Sequence, residues 1–154
     1  MTGVAQSSLI GKSAFWTAGA SREYSCYSGD DSPLPQCYRK GMPTLFEKIC
    51  SGEIPAEIVH EDEYCVCFRD ITPQAPSHLL LVPRKAIARL EKAGIEDQFL
   101  LGHLMLMVGQ IAREQGFDQH GFRMVINNGP DAGEAVPHLH LHILAGRRLD
   151  WPPG

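Results

Sequence analysis

Pro137-His138-Leu139-His140-Leu141-His142-Ile143-Leu144 decides how this chain is read. Side chains alternate across an extended strand, so the segment puts three imidazoles on one face and Leu139, Leu141 and Ile143 on the other. One face is core and the other is chemistry. Alternate residues sit about 7 Å apart along a strand, close enough for several imidazoles to surround one anionic group. Neutral imidazole serves near pH 7 as nucleophile, acid, base or ligand, and two chemistries follow. In the first, one histidine attacks phosphorus to form a phospho-histidine while its neighbours contact the oxygens or protonate the leaving group. Asn127, Gly129 and Gly133 just upstream suit it, since a glycine-bearing loop lets backbone N–H groups approach phosphate. In the second, His138, His140 and His142 hold a metal with His78 as fourth ligand, and Glu134 or Asp131 helps from outside. No other segment looks like a dedicated metal motif, so phosphoryl or nucleotidyl transfer is the preferred reading.

Upstream, Thr44 followed by Glu47 predicts a capping box opening a short helix, with Leu45, Phe46 and Ile49 as its buried stripe and Gly52 and Pro55 ending it. Strands are expected at 57–61 and 64–69, joined by a tight Asp62-Glu63 turn, and at 78–82 after a loop stiffened by Pro73 and Pro76. Residues 84–92 read as a short helix or turn. The main helix is expected over 95–115, stopped by Gly116, with Leu100, Leu104, Met107, Val108 and Ile111 buried at helical spacing. Residues 122–127 form a fourth strand and the histidine segment a fifth. Strands joined by short turns with helices between them predict an α+β fold: a five-stranded antiparallel sheet with two main helices, covering one face.

The 154 residues, 44% hydrophobic and 21% charged, fit one domain with a sizeable core. A formal charge of -4 argues against a nucleic-acid binder, and no apolar run approaches the roughly 20 residues that span a bilayer. A soluble protein with a small anionic ligand is expected. The five cysteines include no Cys-x-x-Cys, so reduced thiols are expected, with Cys65 and Cys67 as small core residues. Residues 1–22 lack Asp and Glu and carry Lys12, Arg22 and several serines, the composition of organellar transit peptides, and 23–41 reads as a polar linker. Residues 1–41 are therefore expected to be a disordered tail or a mitochondrial or plastid transit peptide, failing which the protein is cytoplasmic, and 42–154 the folded domain.

The histidine segment resembles the histidine triad (HIT) motif, His-x-His-x-His-x-x with apolar x. Gly146-Arg147-Arg148 and Trp151-Pro152-Pro153-Gly154 resemble the C-terminus of the family's Hint branch, the histidine triad nucleotide-binding proteins. Leu45-Phe46-Glu47-Lys48-Ile49, Glu53-Ile54-Pro55-Ala56, Phe68-Arg69-Asp70-Ile71, Pro73-Gln74-Ala75-Pro76-Ser77-His78 and Leu100-Leu101-Gly102-His103-Leu104 continue the likeness, which covers 42–154. The resemblance implies a homodimer joining two sheets, needing no cofactor or metal, that hydrolyses purine nucleoside phosphoramidates and releases AMP or GMP from an amine. It makes His140 the nucleophile, His142 a phosphate contact, His138 an orienting group and His78 a neighbour of the leaving group. It assigns Asp70 to the ribose and Asn127, Gly133, Glu134 and Ala135 to the phosphate. Leu45, Phe46, Ile49, Phe68, Ile71 and Leu80 become the cleft for the base, and Trp151 docks near the dimer interface.

Two positions depart from the family pattern. Glu134 stands where Gln is common, and Ala135, where Ser or Thr is common, offers phosphate only its backbone N–H. The departures bear on catalytic strength more than on reaction class. A carboxylate at 134 must be protonated, paired with a cation, or turned away from the phosphate. The first two predict pH-sensitive activity, with Glu134→Gln faster above pH 7. The rival reading is a nucleotide-binding or protein-interaction module with little turnover.

Overall fold

Leu139, Leu141 and Ile143 are all buried in one core, and the imidazoles take the opposite face, as alternation requires. The computed structural model describes residues 42–153. The expectations for residues 1–41 lie outside them. Five strands, β1 (Ile58–Glu61), β2 (Cys65–Arg69), β3 (Ser77–Pro83), β4 (Arg123–Val125) and β5 (Leu141–Ala145), form one antiparallel sheet in the order β1-β2-β3-β5-β4. The hydrogen-bonded part of the histidine strand starts at Leu141, so His138 and His140 precede the ladder rather than belonging to it. Leu139 instead donates its N–H to the Ile87 carbonyl, 2.6 Å away, which keeps the segment extended.

Helix α1 (Leu45–Cys50) carries the expected capping box, with Thr44 Oγ1 accepting from the Glu47 N–H and Glu47 accepting from the Thr44 N–H. The long helix begins with a 3-10 turn at Ile95–Asp97 and continues as α2 (Gln98–Glu114), ending where Gly116 adopts a left-handed φ of 72°. Its five predicted core residues are buried, joined by Ala112. A fully buried leucine such as Leu104 contributes about 1.5–3 kcal/mol by leaving water. Residues 84–92 yield only a 3-10 turn at Leu90–Lys92.

The helices do not share one face. α2 covers the face holding Cys65, Cys67, Leu79 and Leu81, whereas α1 packs against Val66, Phe68, Leu80 and Val82, the strand residues of opposite parity. The buried runs Cys65 to Phe68 and Leu79 to Val82 carry that information, because continuous apolar strands are covered on both sides. Cys65 and Cys67 are core residues, as expected. No helix among the described residues is long and apolar enough to cross a membrane.

Candidate active site

The histidine face lies on the α1 side of the sheet, and each ring is held by a different local device. Thr44 already accepts a hydrogen bond as the α1 cap, so its hydroxyl proton is free to donate to His138 Nδ1, 2.9 Å away. His138 Nε2 lies 2.9 Å from the Pro83 carbonyl, which can only accept, so the proton of neutral His138 is on Nε2. Both nitrogens are thereby occupied. Burial lowers the His138 pKa and keeps the ring neutral.

His140 has the complementary arrangement. Its Nδ1 donates to the His138 carbonyl at 2.7 Å, which puts the lone pair on Nε2, for which no hydrogen-bond partner is seen among the described residues. The ring is buried and Phe46 sits edge-on to it, centroids 5.0 Å apart. Burial depresses its pKa, although the His138 carbonyl and the charges of Glu134 and Asp70 oppose the shift. A neutral imidazole with one bare nitrogen is a nucleophile in waiting.

His78 and His142 form a pair, Nε2 to Nδ1, at 2.8 Å. The Gln74 N–H donates to His78 Nδ1, so His78 donates from Nε2 and the proton of His142 is on its own Nε2. The Asn127 carboxamide lies 3.4 Å from that nitrogen. Burial first, then the neighbouring His140 and His78, press the His142 pKa down to about 4. Burial also lowers His78, against the pull of Asp70, whose Oδ2 is 3.5 Å from His78 Nε2. Asp70 Oδ1 accepts from the backbone N–H and hydroxyl of Thr72.

Glu134 is buried, and its carboxylate accepts from Arg89 Nε at 2.7 and 3.0 Å and from the Gly129 N–H at 2.7 Å. Burial by itself would raise its pKa, but Arg89 and the Gly129 amide outweigh it and the net shift is downward. Of the three arrangements the sequence allows, pairing with a cation is the one observed. Asn128 accepts from the Leu90 N–H at 3.0 Å, so residues 89–90 hold the 127–135 loop at two points. Gly133 takes a left-handed φ of 78°, which favours glycine there. Ala135 is exposed beside it.

Leu45, Phe46, Ile49, Phe68 and Leu80 come together in one apolar cluster beneath the rings, joined by Val136. Ile71 stands outside it at 93% exposure, and Trp151 is 84% exposed in the single chain. The metal reading through all three triad histidines does not match this geometry, because both His138 nitrogens and His140 Nδ1 are committed to protein groups. On this side of the sheet, Asp70, His78 and His142 bring possible metal-donor atoms within 4.8 Å of one another. Sequence reading missed Arg89, the Pro83 carbonyl and the second bond of Thr44. Only Thr44 had a local signal, its cap.

An α+β sheet bearing an alternating histidine segment, with the middle ring buried and one of its nitrogens bare, defines a histidine triad protein. The chain belongs to the HIT family: the family's domain model, HIT domain, matches residues 51–149. An uncharacterized HIT-like protein of Synechococcus elongatus is 54% identical over 111 residues, spanning 72% of this chain and 96% of its own. A 14 kDa zinc-binding protein of Zea mays is 43% identical over 117 residues, 73% of this chain and 88% of its own. Among solved structures, a HIT family hydrolase from Legionella pneumophila superposes with a TM-score of 0.71 at 44% identity, covering 73% of this chain and all of the other.

Proposed function

We propose that this protein is a hydrolase of the Hint type, cleaving the P–N bond of purine nucleoside 5′-phosphoramidates through a nucleotidyl-histidine intermediate. The observation that carries the proposal is the hydrogen bond from His140 Nδ1 to the His138 carbonyl, which directs a neutral lone pair on Nε2 into the site. In this reading Nε2 attacks phosphorus, the P–N bond breaks and the amine departs with a proton. Water then attacks the same phosphorus, releasing AMP or GMP and returning His140. His142 Nε2–H and the Asn127 amide are neighbouring donors that a phosphate oxygen can bridge. Asp70 takes the ribose hydroxyls through its carboxylate, and the cluster of Leu45, Phe46, Ile49, Phe68 and Leu80 takes the base. The name of the Legionella neighbour, a hydrolase, supports the reaction class.

The homodimer belongs to the same proposal. β4 is a three-residue edge strand, and α2 exposes Phe99, Met105 and Leu106. Joining two sheets through that edge would pair the β4 backbone, and the exposed apolar side chains of α2 offer a further surface for the partner to cover. Incubation with an adenosine phosphoramidate followed by acid quench and mass spectrometry should find AMP attached at His140. AMP binding without turnover or adduct would favour the binding-module reading, for which Ala135 is the one supporting feature.

A further inference from the structure

On the face of the sheet away from the triad, at the β1–β2 turn, a second group of metal-competent side chains meets α2. We propose that Asp62, Cys65 and His103, with His60 beside them, form a zinc site separate from the histidine triad. The carboxylate, thiol and imidazole donors of the first three all lie within 4.8 Å of one another, and His103 Nε2 is 2.7 Å from Asp62 Oδ2. Donors on a tetrahedral zinc stand about 3.3–3.6 Å apart at ordinary bond lengths, so small side-chain rotations would fit an ion among them. The donor set selects the metal: magnesium and calcium want oxygen alone, whereas sulfur with imidazole and one carboxylate suits zinc.

The fourth position has a candidate. His60 Nε2 is a buried nitrogen with no hydrogen-bond partner among the described residues, and it lies 3.8 Å from Asp62 Oδ2. Its other nitrogen, Nδ1, faces Glu114 on α2 at 3.8 Å, the outer carboxylate that commonly orients a zinc-bound histidine. The remaining framework is preorganised. Asp62 Oδ1 accepts from the Tyr64 and Cys65 N–H groups, which leaves Oδ2, now bonded to His103, as the oxygen an ion would take over. Tyr64 and Phe99 flank the His103 ring, at centroid distances of 4.9 and 6.2 Å. Asp62 and His103 are partly exposed, so an ion can enter from their side, whereas Cys65 is fully buried.

Burial, and then the charge of Asp62, push the Cys65 thiol up to about 12, so the metal-free protein holds it protonated. Coordination forms the Zn–S bond as that proton leaves to solvent. His103 passes its Nε2 proton to the opposite nitrogen, freeing a lone pair. The bound ion would tie the β1–β2 turn to α2 and raise thermal stability.

The test uses the full chain, stripped with chelator and titrated with Co²⁺ under reducing conditions, followed by displacement with Zn²⁺. One equivalent should bind with tetrahedral d–d bands and a thiolate-to-cobalt charge-transfer absorption. That absorption should vanish in Cys65→Ser, and Co²⁺ should bind at least about tenfold more weakly in His103→Gln, the scale reached on losing even an outer-shell partner. It should persist in His78→Gln, which places the ion away from the triad. His103 is partly exposed, so its variant keeps the test open where Cys65→Ser misfolds. Absence of the charge-transfer band, its survival in Cys65→Ser, or its loss in His78→Gln alone would overturn the proposal.

Discussion

His140 owes its readiness to a single backbone carbonyl, and the consequences can be measured. In the proposed mechanism His140 supplies the attacking atom, so replacing it with Gly or Asn should abolish nearly all turnover while leaving AMP binding largely intact. The neutral ring is the reactive one and burial depresses its pKa below the usual 6.5, so protonation silences it only in acid. The expected profile of kcat/KM is level from pH 8 to about 6.5, with an acid limb below. A limb centred above pH 7 would contradict the assignment. The same shifts act on stability. Unfolded histidines bind protons from about pH 6.5 downward while His142 resists to about 4, so this part of the stability is present above pH 6.5 and lost as pH falls toward 4. Glu134 changes the sequence-based expectation in one respect. Arg89 holds the carboxylate ionised, but Glu134 also opposes the lowering of the His140 pKa, so Glu134→Gln should change the rate by a constant factor above pH 7 and move the acid limb to lower pH. It should also cost about 1–2 kcal/mol in a denaturation experiment, from the weakened bond to Arg89. A rate advantage that grows with pH would restore the repulsion argument.

At the scale of elements, the N-cap of α1 and the orientation of the triad are one structure. Thr44 closes the helix and donates to His138, so Thr44→Ala should lose about 1 kcal/mol from the cap and leave His138 Nδ1 unsatisfied as well. A fall in turnover should accompany the fall in melting temperature, with Thr44→Ser restoring both. Full activity in the alanine variant would show that His138 needs no such tether. α2 offers the contrast. Leu104 is buried on the face opposite the rings, and Leu104→Ala should cost about 2–5 kcal/mol with kcat little changed.

The whole molecule raises two questions that one chain poses and association answers. If the partner covers α2, Leu106→Glu on its exposed face should yield a monomer by light scattering, with the parent chain a dimer. Trp151, exposed in the single chain, should then matter through the partner. Deleting residues 151–154 should shift relative rates among amine leaving groups more than it shifts melting, and unchanged relative rates would remove Trp151 from the site. A chain starting at Met42 should melt and turn over like the full protein, because every motif lies beyond it. Loss of either property would assign residues 1–41 to the folded unit.

Periodicity alone determined much of this protein. The alternation of His138, His140 and His142 with Leu139, Leu141 and Ile143, the helical spacing along α2 and the Thr44–Glu47 box are local patterns, and local patterns survive translation into structure. The motif also named side chains that come together in space, since the four histidines and Asp70 form one contiguous group. Tertiary structure decided what depends on partners distant in sequence. It gave His138 its proton position through Pro83, 55 residues away, and paired Glu134 with Arg89, 45 residues away. It placed α1 and α2 on opposite faces of the sheet and left Ile71 in solvent. A hydrogen-bond partner is chosen by proximity after folding, and no spacing along the chain encodes it.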